Sequence, residues 1–326
     1  MSKLVTIYGG SGFVGRYVTQ RMARAGWRVR VAVRRPNEGV FVKTYGAVGQ
    51  VEPVLCNVRD DASVRAAARG ADAVVNCVGI LNELGKNSFD AVHTEAAERI
   101  ARIAADEGVA NLVHISSIGA DPEADYAYAR SKGLGEQGVL AAFPDAVILR
   151  PSVIFGAEAQ FFNRFAAMAR LSLVLPVVGA DSLMQPVYVD DVAAAAEKAA
   201  TGQAPAGVYE LGGPEVESLR DLLSGMLEII ERRRLILNMP FWLGRFMAFW
   251  FDLWQTVSGG LIVSPLTRDQ VRALGHDNVV SPGARGFGDL GIAPQPMATV
   301  LPEYLYRYRP DGQYAAIRNS ARNLEV

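Results

Sequence analysis

The chain opens with an apolar run, Leu4-Val5-Thr6-Ile7-Tyr8, that leads straight into Gly9-Gly10-Ser11-Gly12-Phe13-Val14-Gly15 and then into an amphipathic segment ending at Gly26. A strand, a glycine turn and a helix in immediate succession leave few folds open. Glycine lets backbone approach a ligand where a Cβ would clash, and N–H groups at a helix start face negative charge, so the unit is suited to a pyrophosphate. Gly9, Gly12 and Gly15 form G-x-x-G-x-x-G, a variant of the dinucleotide spacing. A second strand pattern over 27–33 separates this turn from a Gly-rich surface loop.

Strand and helix patterns then alternate. Strands are expected over 51–56, 72–78, 111–115 and 146–149, with helices over 61–69, 88–107 and 127–143. The run at 72–78 is continuously apolar, as in a strand buried on both faces of a parallel sheet. Short connections between such elements imply an α/β fold: a doubly wound parallel sheet of the Rossmann type with right-handed crossovers. After Arg150-Pro151 the rhythm breaks into helices over 159–169, 191–201 and 218–233, with strands over 186–189 and 208–211. The reading is a nucleotide-binding domain over 1–150, to which 186–212 returns, and a smaller mixed, helical C-terminal lobe over 151–326.

At 326 residues the chain is long enough for this arrangement, and its net charge of −1 gives no argument for nucleic acid. Cys56 and Cys77 each sit in an apolar strand, which suggests free thiols, and two cysteines make no metal motif. No apolar run is long enough to span a bilayer. Strand one starts almost at once, so no signal or transit peptide is expected.

The end of strand two separates the cofactors. A carboxylate there binds the 2′-hydroxyl of NAD, whereas arginine accommodates the 2′-phosphate of NADP. Here the strand ends Val33-Arg34-Arg35-Pro36, which points to NADPH. Asn57 and Val58, just past strand three, fall beside the adenine.

Tyr128 and Lys132 lie at i and i+4 at the start of a helix, so they share a face. An ammonium near a phenol lowers its pKa and can also bind the nicotinamide ribose; Ser117, after strand five, could polarise a carbonyl. This constellation suits hydride transfer. His93 and His114 read as structural, and Asp190-Asp191 as a cap for the helix that follows.

Gly9 to Gly15, Tyr128 with Lys132, and Arg150-Pro151-Ser152-Val153-Ile154-Phe155-Gly156 together resemble the extended and atypical short-chain dehydrogenase/reductases. A narrower resemblance runs nearly the full length. Ile154-Phe155-Gly156, 161–165, 185–192, 266–271 and 289–292 are similar to the nucleotide-binding accessory subunit of respiratory complex I (NADH:ubiquinone oxidoreductase). The resemblance implies a tightly held NADPH and a structural role outside the electron path. It places the subunit peripherally on the hydrophilic arm, near the membrane and the quinone site, with the other complex I subunits as partners. Without a targeting segment, the chain resembles a bacterial version on the cytoplasmic side of the inner membrane. Cofactor contacts are thereby expected at Gly9, Gly12, Phe13, Gly15, Arg34, Arg35, Asn57, Val58, Val78, Ser116, Tyr128, Lys132, Pro151 and Ile154.

Residues 240–254 carry seven aromatics, with Trp242, Trp250 and Trp254 close to one helical face. Such a segment suits a membrane interface or a protein groove, and equally a cap helix packed on the main domain. Arg232-Arg233-Arg234 precede it, and the tail after Pro310, with Arg318 and Arg322, is polar enough to order only against partners. Three functions stay open: an NADPH-binding assembly subunit, a free-standing reductase or epimerase using Ser117, Tyr128 and Lys132, and a nucleotide sensor without chemistry.

Overall fold

A computed structural model describes residues 2–257, 266–310 and Gly312. In chain order the strands and helices begin β1 (Leu4–Tyr8), α1 (Phe13–Arg24), β2 (Arg28–Val33), β3 (Val51–Leu55), α2 (Asp61–Ala68), β4 (Ala73–Asn76), α3 (Ala96–Asp106), β5 (Asn111–Ile115), α4 (Ala127–Ala142) and β6 (Val147–Pro151). They continue with β7 (Ile154–Phe155), α5 (Gln160–Leu171), β8 (Val174–Val178), β9 (Leu183–Met184), β10 (Val187–Tyr188), α6 (Val189–Ala200), β11 (Gly207–Leu211), β12 (Glu217–Ser218), α7 (Leu219–Ile229), β13 (Leu235–Met239), α8 (Phe241–Val257), α9 (Arg268–Ala273) and α10 (Met297–Leu305).

Two compact units result. The first holds Met1–Ser152, Val189–Gly212 and Val280–Ala293. Its seven-stranded sheet runs β11-β6-β5-β4-β1-β2-β3, and every pairing is parallel. This is the doubly wound order, with the switch point between β1 and β4, and it fixes the ligand side at the carboxyl ends of the strands. β1 shows why the apolar runs were legible: Val5 and Ile7 are fully buried, and so are Thr6 and Tyr8. The Thr6 hydroxyl donates to the Ala67 carbonyl at 2.7 Å and the Tyr8 hydroxyl to the Val64 carbonyl at 2.8 Å, so the polar atoms are satisfied by α2. Around them, Val64, Ile100, Ile103, Leu112, Val139 and Ile148 form one continuous core.

Residues 280–293, which the sequence places with the C-terminal lobe, belong to this first unit. Glu210 accepts from the Ser281 N–H at 2.7 Å, the Arg285 guanidinium lies 4.6 Å from the Tyr209 ring centroid, and Lys198 donates to the Leu290 carbonyl at 2.6 Å. The segment covers the edge strand β11, which would otherwise be exposed.

The second unit holds Val153–Tyr188, Gly213–Val279 and Pro294–Val326. Its core gathers Phe155, Phe162, Leu175, Leu223, Met226 and Leu301. Three short two-stranded pairs tie it together, β10-β7, β12-β9 and β13-β8. The parallel pair of β8 with β13 has no counterpart in the sequence reading, and it ends the helix expected over 218–233 at Ile229. α8 sets Ala248 against Val178 and Val271, while Trp242, Phe246, Phe249, Trp250 and Trp254 are exposed. The polar tail, including Arg318 and Arg322, lies outside the described residues. No helix among the described residues is long and apolar enough to cross a membrane.

Candidate functional site

The glycine turn is built by close approach. Gly9 has φ +74°, and a Cβ there would stand 3.2 Å from the Cys77 carbonyl and 3.3 Å from the Val78 nitrogen. At Gly15 a Cβ would run into the Gly9 carbonyl oxygen and sit 2.7 Å from the Gly10 Cα, so the first turn of α1 can lie against the end of β1 only without a side chain. Gly12 takes the cap position of α1 with no side-chain cap and no acid in the first turn, leaving the helix start to an external anion. Phe13, half-buried, meets Tyr17 edge-on at 6.3 Å.

At the end of β2 the two arginines differ. Arg35 is engaged by Glu38 at 2.9 Å, whereas the exposed Arg34 has no ion pair or hydrogen bond among the described residues. The intervening residues of the next segment form a 3-10 helix, Pro36–Tyr45. Past β3, Asn57 is exposed and its side chain accepts from the Arg59 N–H at 3.2 Å; Val58 is buried beside it.

Across the switch point, Ser116 and Ser117 follow β5, and the Ser116 hydroxyl is buried with no hydrogen-bond partner among the described residues. Tyr128 stands with its ring edge-on to Phe89 at 5.8 Å and to His93 at 5.3 Å. Burial raises its phenol pKa, and a side-chain hydrogen bond with Ser117 opposes the rise. Lys132 follows one turn further along α4. Its ammonium is buried, donates to the Ile115 carbonyl at 3.1 Å, and is pushed down to about 8 by desolvation against the opposing pull of Glu136 and Cys77. Glu136 in turn is held by Arg150 through a bidentate pair with a shortest contact of 2.6 Å, and Arg150 reaches Glu210 at 3.5 Å. The sequence reading missed this network; the i, i+4 spacing of Lys132 and Glu136 was its one visible trace.

Of the remaining expected residues, Val78 follows β4 beside Gly9, and Pro151 ends β6 opposite Leu211. Ile154 belongs to the second unit, in β7 opposite Val187. Asp190 and Asp191 lie inside the first turn of α6 and not before it, and Asp190 is taken by Arg21 in a bidentate pair at 2.7 Å. The residues present fit a dinucleotide: a cradle that any Cβ would fill, an uncapped helix start and, among the described residues, an ammonium with one carbonyl for its three donors and an orphaned buried Ser116 hydroxyl.

Residues 5–212 match the NAD dependent epimerase/dehydratase family. Over 316 residues the chain is 32% identical to NADH dehydrogenase (ubiquinone) 1 alpha subcomplex subunit 9 of Arabidopsis thaliana, covering 95% of this chain and 79% of that protein. It is 30% identical to the NADH-ubiquinone oxidoreductase 40 kDa subunit of Neurospora crassa, covering 95% and 80%. Among solved structures, an NADPH-dependent quinone oxidoreductase of Escherichia coli in complex with NADPH shares the fold, with a TM-score of 0.65 at 17% identity over 92% of this chain and 98% of that one. With the glycine turn, the parallel sheet and these matches together, the chain belongs to the NAD dependent epimerase/dehydratase family and, within it, to the family of the complex I accessory subunit that its sequence resembles.

Proposed function

We propose that this chain is an accessory subunit of a respiratory NADH:quinone oxidoreductase that holds NADPH as a fixed part of its fold and takes no part in electron transfer. The carrying observation is where the similarity extends. The epimerase/dehydratase match stops at residue 212, whereas the likeness to the respiratory subunits covers 95% of the chain and so includes most of the second unit. That unit presents the exposed aromatic side chains Trp242, Phe246, Phe249, Trp250 and Trp254 of α8, the kind of contiguous apolar surface that supports docking onto a partner.

In this reading the Gly9–Gly15 turn and the start of α1 hold the pyrophosphate, Arg34 and Arg35 the 2′-phosphate, and Asn57 with Val58 the adenine. Val78, Ser116, Tyr128, Lys132 and Pro151 line the nicotinamide half. The nicotinamide would supply a hydride if a carbonyl substrate were presented. Against turnover stands the burial of the Tyr128 phenol, which raises its pKa against the opposing hydrogen bond with Ser117. Lys132 acts instead as a ribose-binding cation kept in a dry site. Bound nucleotide then stabilises the folded state by RT ln(1 + [L]/Kd).

The position we infer is peripheral, on the cytoplasmic side of a bacterial inner membrane near the quinone-site end of the hydrophilic arm, with α8 turned toward a neighbouring subunit or the membrane interface. A second patch of the same unit supports that placement: Leu171, Leu173, Leu235 and Leu237 are exposed around Arg232, Arg233 and Arg234. The test is purification through this chain from gently solubilised membranes. Co-migration with NADH:quinone oxidoreductase activity is expected. A solitary species that oxidises NADPH with a carbonyl substrate would replace this reading with that of a reductase using Ser117, Tyr128 and Lys132.

A further inference from the structure

The segment leaving β4 forms the wall between the two halves of the candidate site. Cys77 and Val78 pass the glycine turn, 3.2 and 3.3 Å from where a Gly9 Cβ would stand, and a Cβ on Gly79 would lie 3.7 Å from the Lys132 ammonium. A strand end in this place has no sheet neighbour beyond it, so its path depends on local bonds. Cys77 donates its N–H to the Tyr8 carbonyl at 2.9 Å and Val78 to the Asn76 side chain at 3.1 Å. The next bond is of another kind: the Ile80 N–H donates to His93 Nε2 at 3.0 Å.

His93 lies in the π-helical turn Asp90–Glu95 that opens the helical segment leading into α3, a form of backbone often found at functional sites. Because Nε2 accepts, the ring proton sits on Nδ1, which faces the Ser131 hydroxyl at 3.0 Å; that hydroxyl donates to the Tyr128 carbonyl at 2.8 Å. The ring is stacked on Phe89 at 5.4 Å and meets Tyr128 edge-on. One neutral imidazole therefore links the strand end on one side to the first turn of α4 on the other, the turn that carries Tyr128 and leads to Lys132.

Resting on the reading of this chain as an NADPH holder, we propose that His93 is a positioning residue for the nucleotide: it clasps the Cys77–Ile80 wall to helix α4 and so fixes the distance between the glycine cradle and Lys132. Protonation would turn a second N–H against that of Ile80 and open the clasp. The surroundings oppose it, since burial above all, with the Lys132 ammonium and His114 nearby, keeps the imidazole neutral.

Two substitutions separate the clasp's halves. In His93→Gln the amide oxygen can take the place of Nε2 and keep Ile80, while in His93→Asn the shorter side chain can reach only the Ser131 side. Release of NADPH, followed by its fluorescence, is expected to quicken roughly 10- to 100-fold in His93→Asn, the factor for one buried N–H left unpaired, and to stay within about threefold in His93→Gln. Amide exchange at Ile80 is expected to speed up in His93→Asn alone. Equal release rates in the two variants, or rates that follow only their thermal stabilities, would show that His93 is merely packed there. Wild-type protein that holds no NADPH would overturn the reading on which the proposal rests, and exchange at Ile80 would still decide the clasp.

Discussion

Substitution of Gly15 by alanine tests whether close approach of helix to strand end is what makes the site. The added methyl would meet the Gly9 carbonyl oxygen, and would lie 2.7 Å from the Gly10 Cα and 2.9 Å from the Gly9 carbonyl carbon. All three are backbone atoms, so no flexible side chain can yield; α1 must slide outward by a substantial part of an ångström. Overpacking of this kind costs about 1–3 kcal/mol. At roughly 2–4 °C per kcal/mol for a chain of this size, the melting temperature should fall by about 2–12 °C. The N–H groups at the start of α1 move with it, so NADPH retention should fall at least tenfold, more than the stability change alone would produce. Gly26→Ala is the control: its φ of +82° imposes a backbone cost, but nothing lies within 4 Å of the new methyl. That variant should lose about 1 kcal/mol and keep its nucleotide. Gly15→Ala protein that melts as wild type and carries full NADPH would refute the reasoning.

Other outcomes follow from the same structure. Arg34→Ser should weaken NADPH binding roughly 10- to 100-fold and NADH binding little, the loss of a charge-assisted phosphate contact; Arg35→Ser should do less because Glu38 already holds that side chain, and titration calorimetry with both nucleotides would show it. His93 and His114 are pushed down to about 2 and about 3, mainly by burial, below the ordinary imidazole value. The unfolded chain thus binds protons first as pH falls, so stability should drop below about pH 6.5 by up to roughly 1.4 kcal/mol per pH unit for each histidine. Urea unfolding at pH 7 and pH 5 should differ accordingly, and His114→Gln should flatten the difference. Trp242→Ser with Trp250→Ser should leave the melting temperature within about 2 °C, since both side chains are exposed, while abolishing co-purification with the respiratory complex. Tyr128→Phe should leave that co-purification intact.

The parts of the fold legible in the sequence are those where one local pattern decides the outcome. β1 and β4 read as buried parallel strands because their side chains are apolar or satisfied nearby, Thr6 and Tyr8 by α2 and Asn76 by His114 of β5 and the Val78 N–H, and the glycine turn announces itself by spacing. β8 and β13 were not legible: Val174–Val178 carries a proline, Leu235–Met239 follows an arginine run, and their pairing joins segments far apart in the chain. The helix over 88–107 was expected as regular, whereas its first turn from Asp90 is a π-helix that turns His93 toward Ile80 and Ser131. No spacing rule reveals a histidine whose partners are a backbone N–H and a serine hydroxyl, which is why it read as structural. The i, i+4 spacing of Tyr128 and Lys132 placed both on α4, but spacing alone does not report that the ammonium donates to the Ile115 carbonyl.

A nucleotide that stays with the protein is the central requirement of the proposed role. Mass spectrometry of the nucleotides released from the intact respiratory complex, isolated through this chain, should find NADP(H) in amounts matching the subunit and losing little on prolonged washing. Complex that carries this chain but yields no dinucleotide from it, or NAD in place of NADP, would contradict the claim.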